Sequence, residues 1–439
     1  MILTLIMAAM NDCKNYIKTW QMEPIGLAQI ASLTPKDIKI KFFDDRLEKI
    51  NFDSETDLVA ISVETYSAQR AYDIAAEYKK RGKKVVLGGF HPTLVSDEAK
   101  DYADSIIIGQ AENVWQDVIA DFKNNSLKKV YYSSEPVDLK GLFPDRTIFN
   151  GKKYMPITLI ENSRGCKFNC QFCSIAAFHK QVCNYRPIED VIEEVKNSKN
   201  KAIFFIDDNI GSNIERAKAL FKALIPYKIK WLSQISTSCL QDDELIDLMQ
   251  KSGCLGVLIG FESFNPQNLK KMNKSWNVGI ENYEKILKKL TKHNIFVYGT
   301  FIFGYPEDTE ETFRITLDFA TRNNLILAAF NHLMPFPGTP LYDELKDKML
   351  YDKWWLNNSC KFADVVFRPE KLSADKLGEL CYVYKKKFYS LKNTLKRAWG
   401  LKLCLLSHFS LMYDFFKYNF ICNIETTQRR GFKIGRNRV

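Results

Sequence analysis

Hydrophobic positions in the first third of the chain form short β-branched runs separated by amphipathic stretches. This pattern is typical of a parallel sheet covered by helices. Strands are predicted at residues 3–7, 38–43, 58–63, 84–87 and 105–108. Five strands with intervening helices predict an open, doubly wound, Rossmann-like α/β domain over residues 1–140, with its ligands in the crevice at the carboxyl ends of the strands.

A second alternation follows a linker at residues 141–155, which contains Gly141, Pro144 and Gly151. Strands are predicted at 157–161, 202–207, 231–236, 256–262, 295–303 and 325–331, with helical periods between them such as 188–197 and 242–251. Six β/α units predict a partial, TIM-like (β/α)6 barrel over residues 156–345, with its chemistry at the carboxyl ends of the strands. The aromatic-rich remainder, 346–439, has no such alternation, and we expect a helical cap.

Composition places this protein among globular proteins of a reducing compartment. Its 439 residues are 46% hydrophobic, and its eleven cysteines show no paired pattern, which favours the cytoplasm. The apolar opening, residues 1–7, has no basic n-region, so we interpret it as a buried strand. The most apolar late stretch, 401–420, is interrupted by Lys402, Asp414 and Lys417, and we expect it not to span a membrane.

The formal net charge of +11 is modest for this length. Five basic residues crowd the last eleven positions: Arg429, Arg430, Lys433, Arg436 and Arg438. A charge run alone specifies no partner, so a solvated basic end is the favoured interpretation. No nucleic-acid partner is predicted.

Three cysteines, Cys166, Cys170 and Cys173, form the spacing C-x3-C-x2-C directly after a predicted strand. Iron–sulfur clusters are normally ligated by cysteine at every iron, so three thiolates leave one iron open for a substrate or cofactor. A zinc site that recruits Cys183 is an alternative, although structural zinc usually takes two close pairs of ligands. Three unrelated buried thiols are another. The spacing and its position after a strand favour the cluster.

Polar side chains stand at the ends of the next barrel strands, where a cofactor could bind. Asp207 and Asp208 end an apolar strand, and since one Asp would suffice as a helix cap, at least one is predicted to be functional. Ser236 ends the third strand and Glu262 the fourth. Phe172, like Phe168, lies between the cysteines and is predicted to shield the cluster from water.

The strand ends of the first domain also carry glycines and polar residues. Such runs are individually ordinary turns, but together they mark a ligand-binding edge, because glycine lets backbone approach a ligand closely. The candidate residues are Glu64, Thr65, Gly88, Gly89, His91, Pro92, Gly109, Gln110 and Glu112.

The cysteine loop resembles the signature of the radical S-adenosylmethionine (SAM) enzymes. The run Met22-Glu-Pro-Ile-Gly-Leu-Ala28, the Gly88-Gly-x-His-Pro92 turn and the run Pro335-x-Pro-Gly-Thr-Pro-Leu-Tyr342 resemble one large class of them, the cobalamin-binding-domain radical SAM enzymes, which includes the class B methyltransferases.

That resemblance implies three cofactors: a [4Fe-4S] cluster, SAM and cobalamin. It assigns SAM contacts to Glu262-Ser263 and to an adenine-binding I-x-G-x-x-E stretch formed by Ile302, Gly304 and Glu307, where Thr300 replaces the usual first glycine. No histidine of the chain lies in a D-x-H-x-x-G motif. The resemblance therefore implies a cobalamin whose cobalt takes no histidine from that motif.

The implied function is SAM cleavage coupled to cobalamin-dependent methylation of an unactivated carbon in a secondary metabolite or lipid. Radical cyclisation or rearrangement without methyl transfer is one alternative, and a non-catalytic iron–sulfur or zinc protein is another. We expect an external electron donor of the flavodoxin or ferredoxin type. The aromatic cap could house an apolar substrate or rest on a membrane surface, although aromatic stripes more often form core. The substrate and the oligomeric state stay open.

Overall fold

The computed structural model describes residues 1–11, 16–17, 20–277, 279–402 and 409–434. Its first sheet has six parallel strands in the order β2-β1-β3-β4-β5-β6. The strands are β1 (Ile2–Met7), β2 (Lys39–Asp44), β3 (Leu58–Ser62), β4 (Lys84–Gly88), β5 (Ser105–Gly109) and β6 (Val130–Ser133). The strand order reverses between β1 and β3, and such a switch point opens a ligand crevice at the carboxyl edge of the sheet.

The predicted doubly wound arrangement is confirmed, and all five predicted strands are present. The edge strand β6 was not predicted, because it is only four residues long and Tyr132 within it is 70% exposed. Helices pack on both faces of this sheet: α1 (Ile25–Leu33), α2 (Ala68–Lys80), α3 (Phe90–Leu94), α4 (Ser96–Tyr102) and α5 (Trp115–Lys123). The β-branched strand residues are buried on both faces, as in other sheets sandwiched by helices.

The second sheet is the predicted partial barrel, with six parallel strands in the order β14-β13-β12-β11-β10-β7. They are β7 (Thr158–Ile160), β10 (Ala202–Phe205), β11 (Lys230–Gln234), β12 (Cys254–Glu262), β13 (Phe296–Phe303) and β14 (Leu327–His332). The helices of this region are α7 (Ile188–Lys196), α8 (Ile214–Leu224), α9 (Asp243–Lys251), α10 (Pro266–Lys271), α11 (Ile280–Lys292) and α12 (Glu310–Arg322). Alternate strand residues pack against them and form the largest core.

Two short strands that the hydrophobic pattern does not indicate flank the cysteine loop. β8 (Ser163–Arg164) pairs antiparallel with β9 (Asn184–Tyr185), and α6 (Ser174–His179) lies between them. Strands of two residues leave no periodicity in a sequence. The pairing closes the cysteine loop at its base.

The cap is helical, as predicted, with α13 (Pro340–Leu345), α14 (Ala374–Phe388), α15 (Leu391–Gly400) and α16 (Phe409–Arg429). The buried Arg397 on α15 donates to the carbonyl oxygens of Leu325 (2.9 Å) and Ile326 (3.0 Å), just before β14. Within the described ranges, no helix is long and apolar enough to cross a bilayer. The tail bases Arg436 and Arg438 lie outside the described residues.

A buried polar cluster joins the cap to the first sheet. Glu98 Oε1 accepts from Tyr72 Oη (3.0 Å) and Trp355 Nε1 (2.9 Å) and lies 3.2 Å from His91 Nε2, while Glu98 Oε2 lies 3.0 Å from Lys353 Nζ. Burial alone would raise the pKa of Glu98, but its hydrogen-bond donors outweigh burial and lower it to about 2.

This lowered pKa makes Glu98 a source of acid-sensitive stability. Its contribution, about 3 kcal/mol for a shift of this size, is present above the unfolded-state pKa and is lost as the pH falls toward the folded-state value. Urea unfolding should therefore give wild type a much larger free energy of unfolding than Glu98→Gln at about pH 7. This difference should shrink by about pH 3. The control is Glu55→Gln, which changes an exposed glutamate. A difference in free energy of unfolding between wild type and Glu98→Gln that does not change with pH would contradict the prediction.

Candidate active site

The cysteine loop leaves the carboxyl end of β7 and is held by two backbone hydrogen bonds and one ring stack. Gln171 N donates to Met272 O (3.1 Å), and Leu341 N donates to Gln171 O (3.1 Å). Phe168 stacks on Trp276 with ring centroids 4.1 Å apart. These contacts tie the loop to the segment after α10 and to α13, so the rest of the barrel fixes its position.

The three thiols of the loop influence one another electrostatically. Burial and the neighbouring Cys173 raise the pKa of Cys166 to about 11, and burial raises that of Cys170 to about 12, although Lys274 opposes the shift. Burial also raises the pKa of Cys173, against hydrogen bonds from the backbone at the start of α6. A metal cluster binds thiolates, and its positive charge would favour the ionised form that burial opposes.

Among the residues that the structure describes, no three His, Cys, Asp or Glu side chains are already gathered into a closed metal site. The three thiols of the cysteine loop thus influence one another's ionisation but do not yet surround a single point. The donor chemistry, three thiols and no competing histidine within the loop, fits an iron–sulfur cluster. Cys183 lies close enough to Cys166 to raise its pKa.

Asp207 and Asp208 take different positions at the end of β10. Asp207 is fully buried and accepts from Asn162 Nδ2 (2.9 Å) and Ser163 Oγ, so it fixes the strand that leads into the loop. Asp208 accepts from Gly165 N (2.9 Å) and faces the large cavity. Burial raises the pKa of each to about 6. Asp208 is the carboxylate of this pair that a ligand could reach.

Glu262 ends β12 at a register shift, with φ at +61° in the left-handed region. Its Oε1 lies 2.9 Å from Lys274 Nζ, and Lys274 also donates to Gly260 O (3.2 Å). Burial alone would lower the pKa of Lys274, but Glu262 and Cys170 raise it. The Glu262–Lys274 ion pair thus lies beside Cys170, with the charge of the carboxylate neutralised by the lysine.

The I-x-G-x-x-E stretch at the end of β13 is braced by a carboxylate that the sequence did not single out. Asp308 Oδ2 accepts from Gly304 N (2.8 Å) and Tyr305 N (3.0 Å). Glu307 pairs with Lys371 of the cap (2.6 Å), and Ile302 is half-buried. This pairing turns the Glu307 carboxylate toward the cap, while the Gly304 backbone is fixed from beneath.

Ser236 and Ser263 are used internally. Ser236 Oγ lies 3.0 Å from Ser238 Oγ and 3.1 Å from Cys239 Sγ, while Ser263 is buried and its Oγ accepts from Asn265 N (3.1 Å). Phe172 is half-buried against the barrel core. Both serines therefore shape strand ends in the structure.

A cavity of about 530 Å³ lies between the two sheets, at the carboxyl ends of β3, β4 and β5 and beside the cysteine loop. Of the predicted first-domain residues, six line it: Glu64, Gly88, Gly89, Gly109, Gln110 and Glu112. Gly109 has φ at +92°, and a methyl group there would overlap the carbonyl oxygen of Ser133, so only glycine fits.

The other three first-domain candidates are not brought to this cavity. His91 is fully buried between Tyr72, Glu98 and Trp355, Thr65 Oγ1 lies 3.4 Å from its ring, and Pro92 is buried beside it. Their surroundings are structural. The histidine that does line the cavity is His179, on the barrel side, and burial lowers its pKa to about 4.

Arg164 joins the two sheets inside this cavity. Its Nη1 donates to Gln110 Oε1 (2.8 Å) and Glu112 Oε1 (2.8 Å), and its Nε and Nη2 donate to both oxygens of Glu161. Burial alone would lower the pKa of Arg164, but the two carboxylates raise it. This residue stands two positions before Cys166, so the β5 loop is bonded directly to the start of the cysteine loop.

Three site residues escaped prediction from the sequence: Arg164, Lys274 and Asp308. Arg164 had one detectable signal, because Glu161 precedes it by the short spacing of a local ion pair. Lys274 and Asp308 find their partners across the fold, and nothing near them in the sequence indicates those partners.

Comparisons with known proteins agree with this geometry. A family model described as the radical SAM superfamily matches residues 160–320. Bacteriochlorophyllide d C-12(1)-methyltransferase of Chlorobaculum tepidum is 34% identical over 393 residues, which cover 87% of this chain and 85% of that protein. The C-8(2)-methyltransferase of the same organism is 32% identical, covering 78% and 79%.

Two solved structures share the fold. OxsB, a cobalamin-dependent SAM radical enzyme, superposes with a TM-score of 0.69 at 14% identity over 97% of this chain and 72% of that one. TsrM, a radical SAM methyltransferase from Kitasatospora setae, gives 0.66 at 15% identity over 79% and 76%. At these identities the likeness concerns the fold.

A partial barrel whose first strand leads into this cysteine loop, within a region that matches the superfamily model, defines a radical SAM enzyme. The predictions of an enzyme, a [4Fe-4S] cluster, SAM and a small-molecule substrate are confirmed. The chain belongs to the family of radical SAM enzymes that includes these two methyltransferases.

Proposed function

We propose that this enzyme binds cobalamin in the cavity between its two sheets and methylates an unactivated carbon of a small molecule. The observation that carries the proposal is the shared cavity: the β3, β4 and β5 ends of the first sheet and the residues on either side of the cysteine loop, including Arg164 and Ile175, line the same space. Two cofactors placed there would act on one substrate. The names of the two relatives that are more than 30% identical support methyl transfer.

Cys166, Cys170 and Cys173 are proposed to hold the cluster. Asp208, half-buried at the cavity, is suited to accept from the SAM ammonium, and the Gly304 backbone, held by Asp308, is suited to border the adenine. When bound, the cluster supplies the electron for SAM cleavage and cobalamin carries the methyl group. Phe168, stacked on Trp276, excludes water from the loop.

The first-domain glycines are proposed to let the backbone approach the corrin ring closely, as Gly109 does toward Ser133. The cobalt is proposed to take no histidine from the first domain, because no histidine of the chain lies in a D-x-H-x-x-G motif. His91, Thr65 and Pro92 are given a supporting role behind the β3 and β4 ends.

The substrate is proposed to be a largely apolar ring system, and a tetrapyrrole of the bacteriochlorophyllide class is the first compound to test. The relatives at 34% and 32% identity carry that substrate in their names. A one-electron donor of the flavodoxin or ferredoxin type and a reducing, cytoplasmic setting complete the proposal, because the cluster must be reduced before each turnover.

Product counting tests the function. The protein is reconstituted anaerobically with iron, sulfide and methylcobalamin, then supplied with SAM, a low-potential reductant and bacteriochlorophyllide d. We expect S-adenosylhomocysteine and 5′-deoxyadenosine in about equal amounts, with a methylated product, because one SAM donates methyl and another provides the radical.

Two outcomes would overturn parts of the proposal. Deoxyadenosine without S-adenosylhomocysteine would favour the alternative of cyclisation or rearrangement. Bound zinc without iron would favour the non-catalytic alternative. Glu64→Gln is a useful companion variant, since loss of retained cobalamin absorbance with iron content unchanged would locate cobalamin at the first sheet.

A further inference from the structure

Helix α15 (Leu391–Gly400) has two faces of opposite character. Thr394, Arg397 and Ala398 are buried against the barrel. The other face carries three large apolar side chains, Leu391, Leu395 and Trp399, whose exposed fractions are 71%, 51% and 79%. They recur every four residues, so they form one row along the helix. We call this row the α15 stripe.

An apolar row of this kind is unusual on a protein surface that meets only water. Isolated exposed leucines need no explanation, but a contiguous row ending in a tryptophan marks an interaction surface. Tryptophan in particular favours the boundary between water and lipid, where its ring is buried and its N–H stays hydrated. The α15 stripe therefore calls for a partner.

The charge around the stripe indicates which partner. Exposed Lys392 and Lys396 follow Leu391 and Leu395, and exposed Lys402 follows the helix. Between residues 380 and 413 the sequence has six Lys, one Arg and no Asp or Glu. An apolar row flanked by lysines complements the anionic headgroups and acyl boundary of a phospholipid surface.

A second copy of the chain fits this face less well. Two α15 faces brought together would oppose Lys392 and Lys396 of one copy with the same lysines of the other, and like charges repel. A helix of ten residues also offers far less area than the roughly 800 Å² per partner of a stable interface. Both arguments favour a membrane surface.

The helix is rigidly mounted for such a role. Arg397 donates to the carbonyl oxygens of Leu325, Ile326 and Phe388 and to Asn419 Oδ1 (2.8 Å). Leu325 and Ile326 lie just before the amino-terminal end of β14, whereas the cysteine loop lies at the carboxyl ends of the strands. Changes to the stripe should consequently leave the active site intact.

We propose that the α15 stripe docks the enzyme peripherally on an anionic lipid bilayer. Leu391, Leu395 and Trp399 enter the interface, and Lys392 and Lys396 lie among the headgroups. The helix rests on the surface and does not cross it. This inference does not depend on the reaction catalysed.

Sedimentation with vesicles tests the proposal on the full chain. We expect binding to vesicles of equal parts phosphatidylcholine and phosphatidylglycerol, and little to phosphatidylcholine alone. The variant L391S/L395S/W399S should bind anionic vesicles at least about tenfold more weakly, because the buried apolar area is removed. K392E/K396E should lose the preference for anionic lipid. Tyr132→Ser, which removes an equally exposed aromatic ring from β6, should bind like wild type.

A direct contact readout comes from Trp399. Brominated lipids should quench part of the wild-type tryptophan emission and less of that of Trp399→Phe. The proposal is overturned if wild type ignores anionic vesicles or if the triple variant binds as wild type does. It is also overturned if the triple substitution converts a dimer to a monomer, which would make the stripe a self-association surface. Unchanged melting curves and SAM cleavage verify that the variants are folded.

Discussion

Replacing any one of Cys166, Cys170 or Cys173 with alanine is expected to abolish SAM cleavage, by roughly three orders of magnitude or more. Each of the three cysteines is half-buried in one short loop, so the loss of one leaves too few ligands for a cluster. Iron and sulfide content, the visible absorption of the reconstituted protein and the yield of 5′-deoxyadenosine measure the effect.

Cys183→Ala is the matched control. This cysteine lies close enough to Cys166 to influence its pKa, yet it stands outside the C-x3-C-x2-C spacing. We expect this variant to keep its iron and its activity. Loss of metal from Cys183→Ala, with retention in one of the three loop variants, would contradict the assignment and revive the zinc alternative.

Gly165→Ala should be nearly as damaging, although it removes no ligand. Gly165 has φ at +88°, and a methyl group there would overlap the carbonyl oxygen of Val182. The backbone next to Cys166 must then move, at a cost of about 3 kcal/mol or more. We expect poor iron loading and a lower urea midpoint, measured on the same preparation.

Gly82→Ala is a control that introduces the backbone strain of a positive φ without a steric clash of the added methyl group. Gly82 also has a positive φ, +70°, but an added methyl group would meet open space. Its substitution should cost about 1 kcal/mol and leave iron content unchanged. Full cluster loading in Gly165→Ala would show that the cysteine loop does not need the close approach of Gly165 to the carbonyl oxygen of Val182.

Both sheets were predictable from the sequence, because strands buried on both faces leave continuous apolar runs. The barrel strands appear within a few residues of their predicted bounds. Two features were not predictable: β6 is a short, exposed edge, and β8 and β9 are two residues each. Periodicity fails where an element is shorter than the period needed to detect it.

The sequence predicts which residues follow each strand, but it does not predict which of their side chains face the cavity. Sequence position indicates that Asp207 and Asp208 follow β10, but the alternation of side chains decides that Asp207 points into the protein while Asp208 faces the cavity. His91 shows the same limit. Glu98 follows it by only seven residues, but Trp355 comes from the cap, so the burial of His91 depends on tertiary packing that the sequence does not reveal.

The hydrogen bonds of Arg164 connect the two sheets of the enzyme at one residue. Its guanidinium holds acceptors from the β5 loop on one side, and on the other only Gly165 separates it from Cys166. A displacement of the β5 loop, such as the arrival of a large ligand at the first sheet, is therefore transmitted to the cysteine loop through a single residue. If cobalamin binds at the first sheet as proposed, its arrival and the loading of the cluster would be linked through Arg164.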